Sequence, residues 1–351
     1  MFKISLMRSV YISIVSALCL ISLYNCKPAA KTSEEKEARR ADSLMQILNS
    51  PELKALNQKI LDNPDDASLY HERAKVFLEL KQMEDAINDA KRALRIDSTK
   101  AEFYITEADI FFAANETRNA KDVLEKIVRK FPENTEGLLK LGELFFYVKQ
   151  YENAFAAINK ALKIDQNLAQ GYYLKGSIYK ETGDTAKAIS SLETAVEQDN
   201  KNFSAFLDLA IIYGARRNTI ALEYYDNAIR ISPLPEALYG KAKLLQDLGK
   251  MDEAITIYEQ ILKQDPLHEF SLYNLGAIQL EVKKDASKAL EYFTKAINAN
   301  PKYAEAYFAR GVCYEQLKEK KNAYEDYTLC LKLKPNYEPA VDALNALGKM
   351  N

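Results

Sequence analysis

The sequence predicts an all-α fold, a solenoid of stacked helical hairpins, on three observations. A small residue, Gly or Ala, recurs about every 34 residues, a second small residue follows each about twelve positions later, and large apolar residues flank both. The first series is Ala74, Ala108, Gly142, Gly176, Ala210, Ala242, Gly276 and Gly311, and the second is Ala86, Ala120, Ala154, Ala188, Ala221, Ala254, Ala289 and Ala323. A period in this range indicates a repeat array, which presents a long binding surface rather than a catalytic cleft.

Each unit contains two predicted helices, as residues 169–200 illustrate. Apolar residues recur at spacings of three and four on both sides of a polar break that contains Gly183 and Asp184. This spacing places them on one face of each helix. We expect Gly183 to form the C-terminal turn of the first helix and Asp184 to cap the second. Gly176 and Ala188 let the two backbones approach closely, so a larger side chain there would overpack the crossing.

The composition is that of a folded protein without a strong charge. The chain has 351 residues, of which 48% are apolar and 28% are charged, and 48 basic against 50 acidic residues give a net charge of −2. Nucleic-acid binding needs a basic stripe, so this balance gives no reason to expect a nucleic-acid partner.

The N-terminus predicts export. Lys3 and Arg8 precede an uncharged apolar run over residues 9–25, a pattern typical of a secretory signal. The end of this run resembles a bacterial lipoprotein signal, because Leu23 stands three residues before Cys26. The resemblance implies cleavage before Cys26 and its lipidation, for example with palmitate. The alternative is an uncleaved signal anchor that ends near an ordinary cysteine, and either reading places the repeats beyond the inner membrane.

These features suggest five segments. Residues 1–25 form the lipoprotein signal peptide, 26–37 a flexible tether, 38–66 a degenerate N-terminal capping hairpin, 67–335 eight repeat units, and 336–351 a C-terminal capping helix. The hairpin rests on apolar residues at Ala41, Leu44, Met45, Leu48, Leu53, Leu56, Ile60 and Leu61. The capping helix rests on Ala340, Val341, Leu344 and Leu347, and is expected to stop at Gly348. In lipoproteins of the enteric type an Asp after the cysteine signals inner-membrane retention; Lys27 stands there instead, so the resemblance implies the outer membrane of a Gram-negative cell, facing the periplasm.

The eight units resemble the tetratricopeptide repeat. The family has a large residue at position 4 of each unit, a small one at 8, an aromatic one at 11, Ala at 20, a large residue at 24, a small one at 27 and often Pro at 32. Position 4 here holds Tyr70, Tyr104, Leu138, Tyr172, Phe206, Leu238, Leu272 and Tyr307. The resemblance implies a right-handed superhelix of antiparallel helix pairs whose first helices line a concave groove.

In the family, positions 2, 5, 9, 12 and 13 commonly face that groove. Position 5 here is mostly apolar, and two later positions extend the stripe. The candidate partner-binding residues are Ile105, Leu139, Tyr173, Leu207, Tyr239, Tyr273 and Phe308 at position 5, with Phe112, Phe146 and Tyr147 at positions 12 and 13. Exposed aromatic residues favour binding, and Tyr173, Tyr239 and Tyr273 are the strongest candidates. The alternative, that the stripe packs between neighbouring repeats, is equally open.

No catalytic or metal-binding pattern is present in the sequence. The two histidines, His71 and His268, lack partners at ligand spacing, and the glycines are accounted for by crossings and turns. We therefore expect no enzyme activity, cofactor, metal or small-molecule substrate. Cys313 and Cys330 could form a disulfide in an exported protein, but buried free thiols are favoured because cysteine packs as a small apolar residue.

The sequence thus predicts an exported, lipid-anchored scaffold. Its groove would bind a peptide or helix of a protein partner and so assemble or organise a complex of the cell envelope. The alternative is a structural or self-associating envelope component that acts through its convex face.

Overall fold

The computed structural model describes residues 50–349, and this part of the chain contains eighteen helices and no strand. The chain forms two compact units, which divide after Pro132. The first contains α1 (Pro51–Asp62), α2 (Ala67–Glu79), α3 (Met83–Ile96), α4 (Ala101–Ala113) and α5 (Thr117–Lys130). The second contains α6 (Thr135–Tyr147), α7 (Tyr151–Ile164), α8 (Ala169–Thr182), α9 (Thr185–Gln198), α10 (Phe203–Gly214), α11 (Ile220–Ile231), α12 (Pro235–Asp247), α13 (Met251–Gln264), α14 (Glu269–Glu281), α15 (Ala286–Ala299), α16 (Ala304–Gln316), α17 (Lys320–Leu333) and α18 (Glu338–Lys349). The all-α prediction is confirmed.

Helices that follow one another in sequence also pack against one another. Within each compact unit, the first helix of a repeat packs on its own second helix, and the second helix packs on the first helix of the next repeat. First helices of adjacent repeats also touch, as α2 does with α4 and α14 with α16. Each first helix is therefore covered by its second helix and by its neighbours, which leaves one remaining face for contact with other molecules.

A left-handed residue turns the chain between the two helices of every repeat. It has a positive φ and stands at position 15, or one place later in the seventh unit. The eight residues are Lys81, Asn115, Lys149, Gly183, Arg217, Gly249, Lys284 and Lys318. The N–H of Lys81 donates to the carbonyl of Leu78, and that of Gln82 to the carbonyl of Phe77, which satisfies carbonyls at the end of α2. The structure confirms Gly183 in this role, and Asp184 caps α9 by accepting from the Lys187 N–H.

The glycines of the first helices make room for large side chains of the second helices. A Cβ built on Gly176 would lie 2.6 Å from Leu192 Cγ, and one built on Gly276 would lie 2.7 Å from Phe293 Cε1. Leu192 and Phe293 occupy position 24, where the residue type changes along the array. Position 24 holds Ala90, Leu124, Ile158 and Leu192 in the first four units, and Tyr225, Tyr258, Phe293 and Tyr327 in the last four.

The predicted end helices are both present, with two corrections. Ser50 caps α1, and three of its apolar residues are buried, but Leu61 is 75% exposed and does not belong to the core. Helix α18 covers the last repeat with Ala340 and Leu347. It continues through Gly348, which therefore does not stop it. The lipoprotein signal, the tether and residues 38–49 of the predicted capping hairpin lie outside the described residues.

The first repeat and the eighth repeat each contain an internal Arg–Asp ion pair that the sequence pattern did not predict. In the eighth, Arg310 donates two hydrogen bonds to the Asp326 carboxylate, from Nε at 2.7 Å and from Nη2 at 2.8 Å. In the first, Arg73 does the same to Asp89, at 2.6 and 2.8 Å. Each arginine lies over two aromatic rings of its own helix, one turn before and one turn after it. The sequence does contain a sign of this ion pair, an Arg at position 7 of the repeat followed by an Asp sixteen residues later.

Between residues 50 and 349, no helix has the length and hydrophobicity that a membrane span requires. The same residues contain no group of three or more His, Cys, Asp or Glu side chains arranged to hold a metal ion.

Candidate partner-binding surface

The structure separates the ten predicted binding residues into buried, half-buried and exposed groups. Ile105 and Leu139 are 6% and 8% exposed, so they belong to the core and do not line an accessible surface. This corrects the prediction for these two, because both side chains are enclosed by the packing of the helices; Leu139, for example, lies against Gly171 of the next first helix. Tyr147 lies at the other extreme, with 60% of its surface exposed.

Tyr173 and Leu207 are half-buried between neighbouring repeats. Tyr173 packs on a core cluster formed by α9 and α10, in which Leu192 and Leu209 are buried. Leu207 packs against Ala210 and Tyr225. The contacts of these two residues therefore favour the alternative that they pack between neighbouring repeats over the alternative that they bind a partner. Phe112 and Phe146 are also half-buried, and the Phe146 ring lies 6.4 Å from that of Tyr151.

The aromatic residues of repeats six to eight behave differently because they meet one another at the surface. Five rings, which we call the aromatic cluster, lie in contact: Tyr239, His268, Phe270, Tyr273 and Tyr303. The Tyr239 centroid lies 5.6 Å from that of His268 and 6.0 Å from that of Phe270. Phe270 lies 5.8 Å from Tyr303, which lies 5.1 Å from Tyr273. The rings thus form a continuous chain of contacts across two repeat boundaries.

Buried second-helix rings support the aromatic cluster from beneath. Tyr239 contacts Tyr258 at 5.9 Å, and Tyr273 contacts Phe293 at 5.5 Å. Tyr258 and Phe293 are fully buried at position 24, so these two position 5 rings rest on aromatic residues of the core. Phe308 repeats this arrangement on Tyr327 at 5.5 Å, and Tyr337 packs against its edge.

Hydrogen bonds fix the orientation of the cluster. The buried Asn274 side chain donates to the Tyr239 hydroxyl at 3.0 Å and to the Phe270 carbonyl at 2.9 Å. His268 caps α14, because its Nδ1 accepts from the Ser271 N–H at 3.2 Å. Two repeats are therefore joined through the same side chains that present the rings, which gives a preorganised surface.

Phe270 is the exposed member of this group, with 45% of its surface accessible. Sequence reasoning missed it, together with His268 and Tyr303, because the candidates were drawn only from positions 5, 12 and 13. Phe270 stands at position 2, which commonly faces the groove in the family, so the sequence does carry a signal for it. His268 and Tyr303 lie in the connections between repeats, where no position of the repeat pattern predicts a ring at the surface.

Burial raises the pKa of two phenols of the cluster, those of Tyr273 and Tyr303. Desolvation raises the pKa of Tyr273 to about 12, and the nearby carboxylates of Glu305 and Glu281 contribute further. Desolvation also raises the pKa of Tyr303, with contributions from Glu305 and Glu269. The surface is therefore aromatic, with the carboxylates of Glu269 and Glu281 nearby and that of Glu305 paired with Lys334.

The two cysteines of the eighth repeat are buried and free, as the sequence favoured. Burial raises the pKa of the Cys313 thiol to about 12 and also raises that of Cys330. Neither thiol is therefore an activated nucleophile. Among the described residues, Ser177 has the only buried side-chain polar atom without a hydrogen-bond partner, so no base holds its hydroxyl as a nucleophile would require.

Comparison with known proteins agrees with this architecture. A tetratricopeptide repeat protein of Methanocaldococcus jannaschii is 28% identical over 190 residues, which are 48% of this chain and 33% of the relative. Among the curated relatives it matches, the chain spans from 4% to 60% of the relative's length. Two solved structures have a similar fold. The C-terminal part of a tetratricopeptide repeat protein from Cytophaga hutchinsonii is 17% identical, with a TM-score of 0.57, and the match covers 68% of this chain and 98% of that one. PilF of Pseudomonas aeruginosa is 19% identical, with a TM-score of 0.51 and coverage of 58% and 93%.

Two family models of the tetratricopeptide repeat together match most of the array. One matches residues 67–100, 169–202 and 304–337, and the other matches 105–169, 213–269 and 239–297. Proteins of this kind are interaction scaffolds that bind proteins or peptides. With its helix pairs, turns and crossings as described above, the chain belongs to the tetratricopeptide repeat family.

Proposed function

We propose that this chain is an exported, lipid-anchored scaffold that binds a peptide or helix of a protein partner on its first helices, and so assembles or organises a complex of the cell envelope. The main observation behind the proposed binding site is the aromatic cluster, in which the exposed Phe270 packs against the rings of Tyr239 and Tyr303. The cluster replaces the ten-residue stripe as the centre of the proposed site.

The cluster has the properties of an anchor site. Aromatic side chains bury a large area at small cost in conformational entropy, and the residues that dominate binding energy at interfaces are enriched in them. Here the rings are already fixed by Asn274 and by the buried Tyr258 and Phe293, so a partner would not need to order them. A surface that loses little entropy on binding retains more of its contact energy.

Export and lipidation are supported by the sequence of the N-terminus, with Lys3 and Arg8 before the apolar run and Leu23 before Cys26. Mass spectrometry of the N-terminal peptide from the chain made in a Gram-negative host tests this. The expected species begins at Cys26 and carries acyl chains. A peptide that retains residues 1–25 without acylation would overturn the anchor.

Capture of the partner tests the binding site. The full chain is crosslinked in cells in three forms, namely the wild type, Phe270→Ala and Tyr324→Ala. Tyr324 is a matched control, because it is exposed like Phe270 but lies on a second helix, α17. We expect Phe270→Ala to lose the captured partner and Tyr324→Ala to keep it, while circular dichroism shows both variants folded. The reverse result would favour the alternative, a component that acts through its second helices, and equal capture by all three would overturn the site.

A further inference from the structure

The charges on the first helices of repeats three to eight indicate what kind of partner fits this surface. In repeats three to eight, positions 2, 9, 12 and 13 of the first helices carry eight carboxylates and only two cations. The carboxylates are Glu136, Glu143, Glu181, Glu236, Asp247, Glu281, Glu305 and Glu315. The two cations are Lys180 and Lys243, and each is neutralised within the chain, by Asp208 and Asp247 respectively. No uncompensated positive charge therefore stands at these positions.

Several of the carboxylates lack a cation of their own. Glu136, Glu143, Glu236 and Glu281 are exposed and form no ion pair with any residue in the part of the chain that the structure describes. Two of them flank the aromatic cluster. Glu236 lies one turn before Tyr239 on α12, and Glu281 acts electrostatically on Tyr273.

The rings of the cluster also lack the cations that cover other rings in this compact unit. Lys187 lies 5.4 Å from the Tyr179 centroid, Lys295 lies 5.6 Å from that of Tyr292, and Lys334 lies 4.8 Å from that of Tyr337. Within residues 133–349, none of the five rings of the aromatic cluster has a Lys or Arg over its face. An aromatic face attracts a cation through its quadrupole, and a neighbouring carboxylate strengthens that attraction.

Taken with the proposed function, on which this inference rests, these observations favour one occupant. We infer that the partner segment is basic, that one of its Lys or Arg side chains lies over Phe270, and that other basic side chains of the same segment pair with Glu236 and Glu281. The apolar part of the same segment packs on Tyr239 and Tyr303. An acidic segment or an anionic lipid surface would meet uncompensated carboxylates and be repelled.

Three labelled peptides of equal length test the charge of the partner. They alternate Leu with Arg, with Gln or with Glu, and their binding to the full chain is measured by fluorescence anisotropy at low and at physiological salt. We expect the Leu–Arg peptide to bind about tenfold more tightly than the Leu–Gln peptide, to weaken as salt rises, and the Leu–Glu peptide not to bind.

Variants show whether the binding occurs at this site. Phe270→Ala, and separately the pair Glu236→Gln with Glu281→Gln, are each expected to weaken the Leu–Arg peptide about fivefold or more. Glu259→Gln is the matched control, since Glu259 is an exposed carboxylate on the second helix α13, and it should leave binding unchanged.

The other outcomes separate the two proposals. Equal binding of the Leu–Arg and Leu–Gln peptides that depends on Phe270 overturns the charge inference and leaves the binding site standing. Binding of the Leu–Arg peptide that ignores all the variants is non-specific attraction and overturns the inference. Failure of all three peptides also overturns it, while loss of the captured partner in the Phe270→Ala cell experiment would still support the site.

Discussion

The Arg310–Asp326 pair is the residue-scale feature with the largest expected effect on stability. Both side chains are largely buried, and the hydrogen bonds to the Asp326 carboxylate raise the pKa of Arg310. Changing Asp326→Asn keeps the shape but leaves a buried guanidinium without its counter-charge. We expect a loss of about 3 kcal/mol in the free energy of unfolding, measured by urea denaturation.

A surface pair on the same helix provides the control. Lys321 and Glu325 are well exposed and lie 4.0 Å apart, so Lys321→Ala should cost less than about 0.5 kcal/mol. Equal effects from the two variants would contradict the assignment of Arg310–Asp326 as a buried structural pair. The equivalent change in the first repeat, Asp89→Asn, should cost less than Asp326→Asn, because Arg73 also donates to Asn57 at 2.7 Å, whereas the further hydrogen bond of Arg310, to Thr294, is long at 3.5 Å.

His71 gives the first repeat a defined dependence on pH. Its ring is half-buried against Phe103, with Nε2 2.8 Å from the Thr106 hydroxyl, and desolvation lowers its pKa from the ordinary value of 6.5. The unfolded state therefore binds a proton at a higher pH than the folded state does. Stability from this group is complete above pH 6.5 and is lost as the pH falls from there through the folded-state pKa.

Two measurements check this. In a carbon–proton correlation spectrum, the His71 ring should titrate with a midpoint below 6.5. The variant His268→Asn identifies the His71 resonance, because it removes the other histidine, and the Asn side chain can still accept at the N-cap of α14. The decline in unfolding free energy below pH 6.5 should be smaller in His71→Gln than in the wild type. A His71 midpoint at or above 6.5 would contradict the account.

At the scale of the element, the turns between paired helices contain backbone strain that a substitution by glycine would relieve. Six of the eight left-handed residues are not glycine, and Lys318 has φ 65° with an exposed side chain. Left-handed backbone is unfavourable for a residue with a Cβ, whereas glycine adopts it freely. Lys318→Gly should therefore stabilise the chain by about 0.5 kcal/mol, after the entropy that glycine adds to the unfolded state is subtracted.

The reciprocal change tests the same turn. Gly249 has φ 79°, and no neighbouring atom lies within 4 Å of the place that a Cβ would take, so Gly249→Ala meets backbone strain and no clash. It should destabilise the chain by about 1 kcal/mol in urea denaturation. If both changes had the same sign, the turn geometry would not be what sets their effect.

The predicted capping hairpin is also an element-scale question. Helices α1 and α2 border an open groove of about 380 Å³ lined in part by Leu56, Lys75 and Val76. In the second repeat, the residues at positions 6 and 10, Thr106 and Ile110, are buried. Their counterparts in the first repeat are less buried, as expected where a preceding first helix would pack. Residues 38–49 are predicted to form the helix that packs at this position, and this stays a prediction.

At the scale of the molecule, the repeat pattern was predictable and the binding surface was not. A 34-residue period constrains every unit at once, so the turn at Gly183, the cap at Asp184 and the crossings at the small residues were all confirmed. Changes in turn length, at Arg217 and Lys284, are absorbed without loss of the left-handed turn. The aromatic cluster escaped prediction because it joins residues from helices and from the connections between repeats, and a one-dimensional pattern does not show which of them meet.

The change at position 24 from aliphatic to aromatic residues has a spectroscopic consequence. The chain has no tryptophan, so tyrosine dominates its near-ultraviolet absorbance and emission, and thirteen of the 22 tyrosines lie between residues 203 and 337. Buried rings such as Tyr258 and Tyr327 give ordered, asymmetric signals because they are fixed against their neighbours. The last four repeats thus contain buried tyrosines at position 24, and the first four do not. The near-ultraviolet signal of these tyrosines therefore reports the unfolding of the last four repeats without an added label.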